Sequence, residues 1–374
     1  MIKIAFIDDG IPQNLQERYP DLRIQYYEIH KKNIRRQTML RQKKKMTHAG
    51  LCFMVYSYYL KSEADVYSID IGIRRRGKIE DLISALEWCI HEKIQIINLS
   101  VGSRNYWDAF LLEPILKNMR AKNIIVIAAH SNDFSFSFPA VSGYTVSTRF
   151  ARKDLLEEKG VAIVEGLFSD IEVLISDDYI LSELTEYTDL DEECNSFSAP
   201  VISAFITDCY EEAYRNPKKY LYRRYGTVDK NLLWSIKRSY IDENKSGDIP
   251  VVIFDANRVN LQMVREITEF YLKQKYTVLT LSEERTENEL PFFDIANILD
   301  VCKHDVVKAV LFSECYSNVD LVLLHLKSAK TRELITSGMA DVFIPDCGRI
   351  ETEHSSVRVE NIEQMKRILQ HYLL

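Results

Sequence analysis

The feature that most constrains the fold is an alternation of short apolar segments with helical patterns in the first third of the chain. An apolar run at 2–7 stops at Asp8-Asp9-Gly10, and similar runs follow at 23–29, 66–71, 94–101 and 123–129. Helical patterns at 79–92 and 109–122 separate the last three of these runs. Because strands that alternate with helices form mostly parallel sheets, we predict an α/β fold with a mostly parallel sheet flanked by helices. Site residues are expected where its strands end.

A second set of apolar segments follows a stretch at 210–247 that is rich in Tyr, Lys and Arg. The patterns predict strands at 250–254, 276–281, 309–312, 320–326 and 341–344, with helices at 262–273 and 362–372. This region contains no glycine-rich nucleotide-binding motif. We therefore predict a first domain at 1–220, a linker at 221–247 and a second, smaller α/β domain at 248–374.

Charge and cysteine usage narrow the possible partners and the compartment. The net charge of −7 and the pI of about 5.7 provide no general attraction to nucleic acid or to an anionic membrane, so peptides or proteins are the expected partners. The seven cysteines form no CxxC pair, which is typical of reduced thiols and predicts neither a disulfide framework nor a metal site. The apolar run at the N-terminus is too short for a signal peptide. We expect a cytoplasmic protein without a cofactor.

Two strongly charged stretches allow two interpretations each. The basic stretch at 31–45 lacks apolar periodicity and is predicted to be a solvated loop, the alternative being a docking patch for an acidic peptide. The acidic stretch at 186–193 is likewise predicted to be a solvated loop rather than a surface that attracts substrate.

Three separated segments carry polar residues that suit nucleophilic catalysis. Asp8 ends the first strand, and His48 stands in Thr-His-Ala-Gly-Leu-Cys at 47–52. Ser196 stands in Asn-Ser-Phe-Ser-Ala-Pro at 195–200, just before an apolar helical run. A helix start provides backbone N–H groups and a positive dipole end for an oxyanion. Each residue alone also has a structural explanation, as a strand-end carboxylate, a capping or core histidine, or a helix N-cap.

In this order, the three segments resemble those of the subtilase family of serine peptidases over residues 1–215. The resemblance implies a triad in which His48 removes the proton of Ser196 while Asp8 fixes the tautomer of His48 and stabilises the imidazolium. Asp9 is expected to face solvent, the alternative being an electrostatic effect on the triad.

The resemblance also implies an oxyanion hole and a substrate strand. Asn132 follows the apolar run at 123–129 and corresponds to the second oxyanion donor of the family, and Ser-Phe-Pro-Ala at 137–140 resembles a motif further along. The segment Ile-Asn-Leu-Ser-Val-Gly at 97–102 is similar to the strand that pairs with extended substrate. The predicted substrate-binding residues are Ser100, Val101, Gly102, Ala129, Ser131 and Asp133.

Departures from the family pattern bear on specificity. His130 and Ser131 replace small residues and are expected to narrow or polarise the pocket for the residue before the scissile bond, while Asp133 predicts a preference for Lys or Arg there. Ala49-Gly50 after the histidine and Cys194-Asn195 before the serine are also unusual.

We interpret the chain as an intracellular serine endopeptidase of narrow specificity. Removal of the leader from a ribosomally made precursor peptide is the nearest functional analogy. The competing hypothesis is a catalytically inactive subtilase fold that binds a peptide. The C-terminal domain could bind the precursor or a partner protein, or hold a small-molecule site near Asp255 or Asp346, for which loop-capping carboxylates are the alternative.

Overall fold

The computed structural model describes residues 1–30, 32–37, 46–72, 78–132, 135–156, 159–165, 171–187, 194–229, 232, 249–284, 290–302, 308–310, 313, 317–327, 334–335 and 338–373. None of the helices in these ranges is both long enough and apolar enough to cross a bilayer. The chain divides into two compact units, one formed by Met1–Asp133 with Ser137–Asp229 and the other by Phe134–Phe136 with Lys230–Leu374.

The first unit is built on a nine-stranded sheet with the order β3-β2-β4-β1-β5-β6-β7-β9-β8. Its strands are β1 (Ile2–Asp8), β2 (Arg23–His30), β3 (Asn33–Arg36), β4 (Ala64–Asp70), β5 (Ile96–Leu99), β6 (Ile125–Ala129), β7 (Val146–Ala151), β8 (Val161–Glu165) and β9 (Ile171–Ser176). Pairing is parallel except at the two edges, where β3 and β8 run antiparallel to their neighbours. This confirms the prediction of an α/β fold with a mostly parallel sheet.

Helices cover this sheet. They are α1 (Leu15–Arg18), α2 (His48–Tyr59), α3 (Ile79–His91), α4 (Tyr106–Ala121), α5 (Ser198–Asp208), α6 (Tyr210–Ala213) and α7 (Pro217–Tyr225). Ile4 and Phe6 of β1 pack in one core cluster with residues of α2 and α5, while the alternate residues Ala5 and Ile7 are also buried. Because successive side chains of a strand point to opposite faces, β1 is covered on both sides.

Burial explains why α2 and α5 are apolar around most of their circumference. Every residue from Ala49 to Tyr56 in α2 is buried, and α5 buries nine of its eleven residues. A helix that is hydrophobic all round belongs in a core rather than at a surface. Since α2 and α5 lie in the same core cluster, the residues at their starts are brought to one end of the sheet.

The second unit contains a seven-stranded sheet with the order β12-β11-β13-β10-β14-β15-β16. Its elements are β10 (Val251–Asp255), α8 (Leu261–Lys273), β11 (Val278–Ser282), β12 (Phe292–Asp294), α9 (Ala296–Val301), β13 (Leu321–Leu326), β14 (Val342–Asp346), β15 (Arg349–Glu351), β16 (Ser356–Arg358) and α10 (Ile362–Leu373). The first five strands in that order are parallel, and β14 to β16 are antiparallel. The core packs α8 and α10 against the sheet.

Two local expectations differ from the structure, and a third falls mostly outside the described residues. The predicted strand at 309–312 is wrong, because residues 308–310 are helical and 311–312 fall outside the described residues; a short apolar run does not distinguish the two structures. The loop predicted for the whole of 31–45 is wrong at β3, a charged edge strand, and residues 38–45 are not described. Most of the acidic stretch, 188–193, is also outside the described residues.

Candidate active site

Asp8 is held at the carboxyl end of a central strand. β1 lies between β4 and β5, and the Asp8 side chain is 5% exposed. Its Oδ2 lies 2.7 Å from Nδ1 of His48, and its Oδ1 accepts a hydrogen bond from the backbone N–H of Asp9 at 2.7 Å. Both carboxylate oxygens therefore have a partner, and Oδ2 orients the imidazole of His48.

His48 is the first residue of α2, and the start of that helix is fixed by two side chains. Thr47 is the N-cap: its Oγ1 accepts from the N–H of Gly50 at 3.0 Å and donates to the carbonyl of Gly10 at 2.7 Å. A methyl group in place of the Gly50 hydrogen would lie 2.6 Å from Cδ of Pro12, so a glycine is required for this close approach. The backbone of His48 is thereby held beside the end of β1.

Asp9 is the second fixing side chain, and the expectation that it faces solvent is wrong. The residue is 5% exposed, and its carboxylate accepts hydrogen bonds from the backbone N–H groups of Ala49 at 2.9 Å and His48 at 3.3 Å. A carboxylate at a helix N-terminus pairs with orphan N–H groups and with the positive end of the helix dipole. Asp9 therefore positions the helix that carries His48.

Ser196 lies in the 3₁₀ turn Asn195–Phe197, which leads directly into α5. Its carbonyl accepts a hydrogen bond from Oγ of Ser100 at 2.7 Å, and its own Oγ lies 3.5 Å from the carbonyl of Ser100. Pro200 falls in the first turn of α5, where its missing N–H has no intrahelical partner to lose.

The thiol of Cys194 lies close to both His48 and Ser196. It is near enough for each to lower the pKa of the thiol and for the thiol to raise the pKa of His48, and Nδ2 of Asn132 lies 3.9 Å from its sulfur. No hydrogen bond joins His48 directly to Ser196 among these described residues. The structure thus brings Asp8 and His48 into contact, with Cys194 close to both His48 and the serine.

Charges and burial shift the ionisation of these groups. Burial raises the pKa of Asp8, and the hydrogen bond from His48 opposes that effect. The pKa of His48 is raised, first by the charge of an ionised Cys52 and then by hydrogen bonds to Asp8 and Cys194, against the effect of burial. Because burial raises the pKa of Cys52 to about 12, its thiol is protonated and uncharged at neutral pH. The interactions with Asp8 and Cys194 are then what raises the pKa of His48. For Cys194, burial opposes ionisation, but hydrogen bonds to His48 and Ser196 outweigh it and lower the pKa.

Asn132 lies beside the start of α5, and its side chain has a defined orientation. Its Oδ1 accepts a hydrogen bond from the backbone N–H of Asn195 at 2.8 Å. Because the oxygen end of the carboxamide is used in this way, the Nδ2 end is directed to the other side, where Cys194 lies.

Asn195 is a residue whose role sequence reasoning missed. It is buried, its Nδ2 donates to the carbonyl of Ser131 at 3.1 Å, and its Oδ1 accepts from the N–H of Phe150 at 2.9 Å. The side chain therefore ties the segment after β6 to β7 and to the turn that carries Ser196. The departure from the family pattern at Cys194-Asn195, directly before Ser196, is the signal that could have indicated this role.

The predicted substrate-binding residues lie beyond the ends of β5 and β6. β5 ends at Leu99 and has both edges occupied by β1 and β6, so only the segment that includes Ser100, Val101 and Gly102 is available to pair with a peptide. A Cβ atom at Gly102 would lie 2.8 Å from the carbonyl oxygen of Phe138, with which the chain forms a bridge at Ser103. Ala129 ends β6 and Ser131 follows it. Asp133 lies outside the described residues.

His130 is directed into the interior of the first unit. Its Nε2 lies 3.6 Å from Oε2 of Glu172, which also pairs with Nε of Arg149 at 3.0 Å, and all three side chains are at most 2% exposed. Charges this deeply buried require partners. Arg149 and Glu172 pair with each other, and the imidazole of His130 lies beside the Glu172 carboxylate. Glu172 and Arg149 come from β9 and β7, which sequence patterns did not predict.

The two carboxylates considered in the second unit cap their own turns. Asp255 accepts from the backbone and side-chain nitrogens of Asn257 at 3.0 and 2.9 Å. Asp346 accepts from the N–H of Gly348 at 2.9 Å and pairs with Arg349. These contacts favour the loop-capping interpretation of both residues.

Comparison with known families finds one match in the first unit. Residues 1–153 match the model of the subtilase family, and the matched region includes Asp8, His48 and Asn132 but ends before Ser196. Over these residues the chain is similar to the subtilase family. No curated protein matches the chain.

Several solved structures are similar to parts of this chain. The chain is similar to the prenylagaramide maturation protease PagA, with 13% identity, 62% of this chain and 81% of that chain covered, and a TM-score of 0.34. A lanthipeptide protease gives 12% identity, 66% and 82% coverage, and a TM-score of 0.40. The epidermin leader peptide processing serine protease EpiP from Staphylococcus aureus gives 14% identity, with 59% of this chain and 68% of that chain covered, and a TM-score of 0.42. Likeness at this level carries no conclusion about activity or substrate.

Proposed function

We propose that this chain is a subtilase-family serine peptidase that uses Asp8, His48 and Ser196 as its triad and Asn132 as an oxyanion donor. The observation that carries the proposal is the 2.7 Å hydrogen bond between Asp8 and Nδ1 of His48, made at the start of a buried helix beside the turn of Ser196. With Nδ1 held by Asp8, the imidazole presents Nε2 as the base.

The proposed reaction begins with the transfer of the Ser196 proton to Nε2 of His48 as Oγ attacks the peptide carbonyl. Asp8 stabilises the imidazolium that forms. The N–H of Ser196 and Nδ2 of Asn132 stabilise the oxyanion, and His48 then donates its proton to the leaving amine. For the first proton transfer His48 must form a hydrogen bond with Ser196, an adjustment that substrate binding would produce.

The proposed substrate is an extended peptide that pairs with the segment after β5, because the strand itself has no free edge. We further propose a narrow specificity, such as cleavage of a leader from a ribosomally made precursor, with Lys or Arg before the cut as the hypothesis raised by Asp133. A peptide-library profile dominated by apolar residues before the cut would reject the preference for Lys or Arg.

We place this activity in the cytoplasm, which is supported by the observation that none of the six described cysteines forms a disulfide. The second unit is proposed to bind the precursor or a partner protein. Removal of 248–374 would then abolish specific cleavage while probe labelling of Ser196 persists; unchanged specific cleavage would contradict this role.

A second candidate function is peptide binding without cleavage. The observation that favours it is that, among the described residues, no hydrogen bond joins His48 to Ser196, whose Oγ lies 3.5 Å from the carbonyl oxygen of Ser100 instead. In that case the folded protein would bind peptides, and Ser196 would remain unreactive.

The deciding experiment is treatment of the purified full chain with a serine-directed fluorophosphonate probe, followed by intact mass measurement. We expect one adduct on the wild type and none on Ser196→Ala or His48→Ala. Circular dichroism and melting curves of all three proteins control for folding. A folded wild-type protein without an adduct would favour the binding function.

A further inference from the structure

Cys52 has no role in the proposed reaction, although it lies next to the triad. It follows His48 by four residues in α2, so both side chains project from the same face of the helix. Its sulfur lies 3.4 Å from Oγ of Ser100 and 3.8 Å from the carbonyl oxygen of Ser196, and the residue is fully buried.

The thiol of Cys52 belongs to a cluster of atoms that can bind a metal ion. One ligand atom from each of Asp8, His48 and Cys52 lies within 4.8 Å of the other two. Zinc binds carboxylate oxygen, imidazole nitrogen and thiolate sulfur at about 2.0 to 2.3 Å, so tetrahedral ligands lie about 3 to 4 Å apart. A contraction of about 1 Å, within the reach of rotamer adjustments, therefore brings the three atoms onto one ion.

We propose that Asp8, His48 and Cys52 form a binding site for a thiophilic divalent cation such as Zn²⁺, and that the bound ion holds the peptidase inactive. The inactivation rests on the proposed function, whereas the binding of the ion does not.

The donor set selects the class of ion. Thiolate and imidazole ligands favour zinc and similar ions, whereas calcium and magnesium prefer oxygen ligands alone. A buried carboxylate also favours a nearby positive charge, because the surrounding medium screens charge weakly. The side chain of His48 is 31% exposed, so an ion can approach from the imidazole side although Asp8 and Cys52 are buried.

Binding changes the candidate site in a defined way. As the zinc–sulfur bond forms, the thiol of Cys52 releases its proton to solvent, and the ion accepts a lone pair from the imidazole and one from the carboxylate. The Asp8–His48 pair is then no longer available to receive the proton of Ser196. Removal of the ion returns the proton to Cys52 and restores the pair, so the inhibition is reversible.

Equilibrium dialysis of the chelator-treated full chain against Zn²⁺ alone tests the site. We expect one tightly bound ion in the wild type and in Ser196→Ala, and an affinity lower by about tenfold or more in Cys52→Ala and His48→Ala. Cys347→Ala, which removes an exposed thiol, is the matched control and keeps the affinity of the wild type. Added Ca²⁺ does not compete.

Co²⁺ substitution supplies a second readout. Coordination by Cys52 produces a thiolate-to-cobalt charge-transfer absorption that is present in the wild type and Cys347→Ala but absent in Cys52→Ala. Melting curves verify that the variants are folded, and Cys52→Ser, which keeps the side-chain size, replaces Cys52→Ala if the latter does not fold. Equal zinc affinity in wild type and Cys52→Ala, or an equal loss in Cys347→Ala, overturns the site.

Probe labelling separates this proposal from the proposed function. Zinc is expected to suppress fluorophosphonate labelling of the wild type, and a chelator to restore it, while labelling of Cys52→Ala does not respond to zinc. Zinc binding without suppression overturns the inhibitory role. Absence of labelling without zinc contradicts the proposed function, and the dialysis result still decides whether the ion binds.

Discussion

The two α/β units differ in what lies beside the carboxylates that end their central strands. In the first unit β1 ends at Asp8, which bonds to His48 of a helix forty residues later in the chain. In the second unit β10 ends at Asp255, whose oxygen accepts both of its hydrogen bonds from Asn257, two residues away. A carboxylate at a strand end therefore becomes a candidate catalytic group only where packing brings a distant side chain to it.

The largest expected effect comes from replacing Asp8, and the same change at Asp255 serves as its control. Asp8→Asn removes the charge that stabilises the imidazolium and favours the wrong tautomer, so fluorophosphonate labelling should slow by about 10⁴-fold. Asp255→Asn should leave the labelling rate unchanged. Equal rates for wild type and Asp8→Asn would remove the distinction between the units.

The oxyanion donor gives the next largest effect. Asn132→Ala should slow peptide cleavage by about 10² to 10³-fold, because Nδ2 stabilises the charge of the transition state. The variant also leaves the N–H of Asn195 without its acceptor, which should cost about 1 to 3 kcal/mol in the free energy of unfolding. Asn132→Asp keeps the acceptor for Asn195 but loses the donor, so it should be equally slow. A fast Asn132→Asp variant would show that the acceptor end, rather than Nδ2, matters.

Replacing one asparagine in each unit by alanine compares how much the two side chains contribute to the free energy of unfolding. Asn195→Ala leaves the buried N–H of Phe150 and the carbonyl of Ser131 without this partner, which should cost about 1 to 3 kcal/mol in the free energy of unfolding. The exposed Asn257→Ala of the second unit should change it by less than about 0.5 kcal/mol. Urea denaturation measures both, and a similar cost at the two positions would contradict the role of Asn195.

The smallest effect is expected at Asp9. Asp9→Ala removes the carboxylate from the start of α2 and should destabilise the protein by about 0.5 to 2 kcal/mol. The labelling rate of Ser196 should fall only because the start of α2, and with it His48, is displaced. If stability is unchanged while labelling falls, Asp9 acts on the triad by its charge instead.

Local patterns predicted most of the central elements because each depends on neighbours in sequence. The strand that ends at Asp8, helix starts near His48 and Ser196, and the parallel order follow from apolar period, capping residues and crossover rules. β7 and β9 were missed because they carry polar residues such as Arg149 and Glu172, which are buried only because they pair with each other and with His130.

The sequence by itself therefore determined the fold class of both units, the family resemblance and the segments that carry Asp8, His48 and Ser196. Only the tertiary structure decided the contacts between them: Asp9 on the start of α2, Cys194 close to His48 and Ser196, Asn195 bonded to the segment after β6 and to β7, and Cys52 beside Asp8. The reason is that spacing along a chain encodes which face a side chain occupies. Which distant group it meets depends on how α2 and α5 pack against the same face of the sheet.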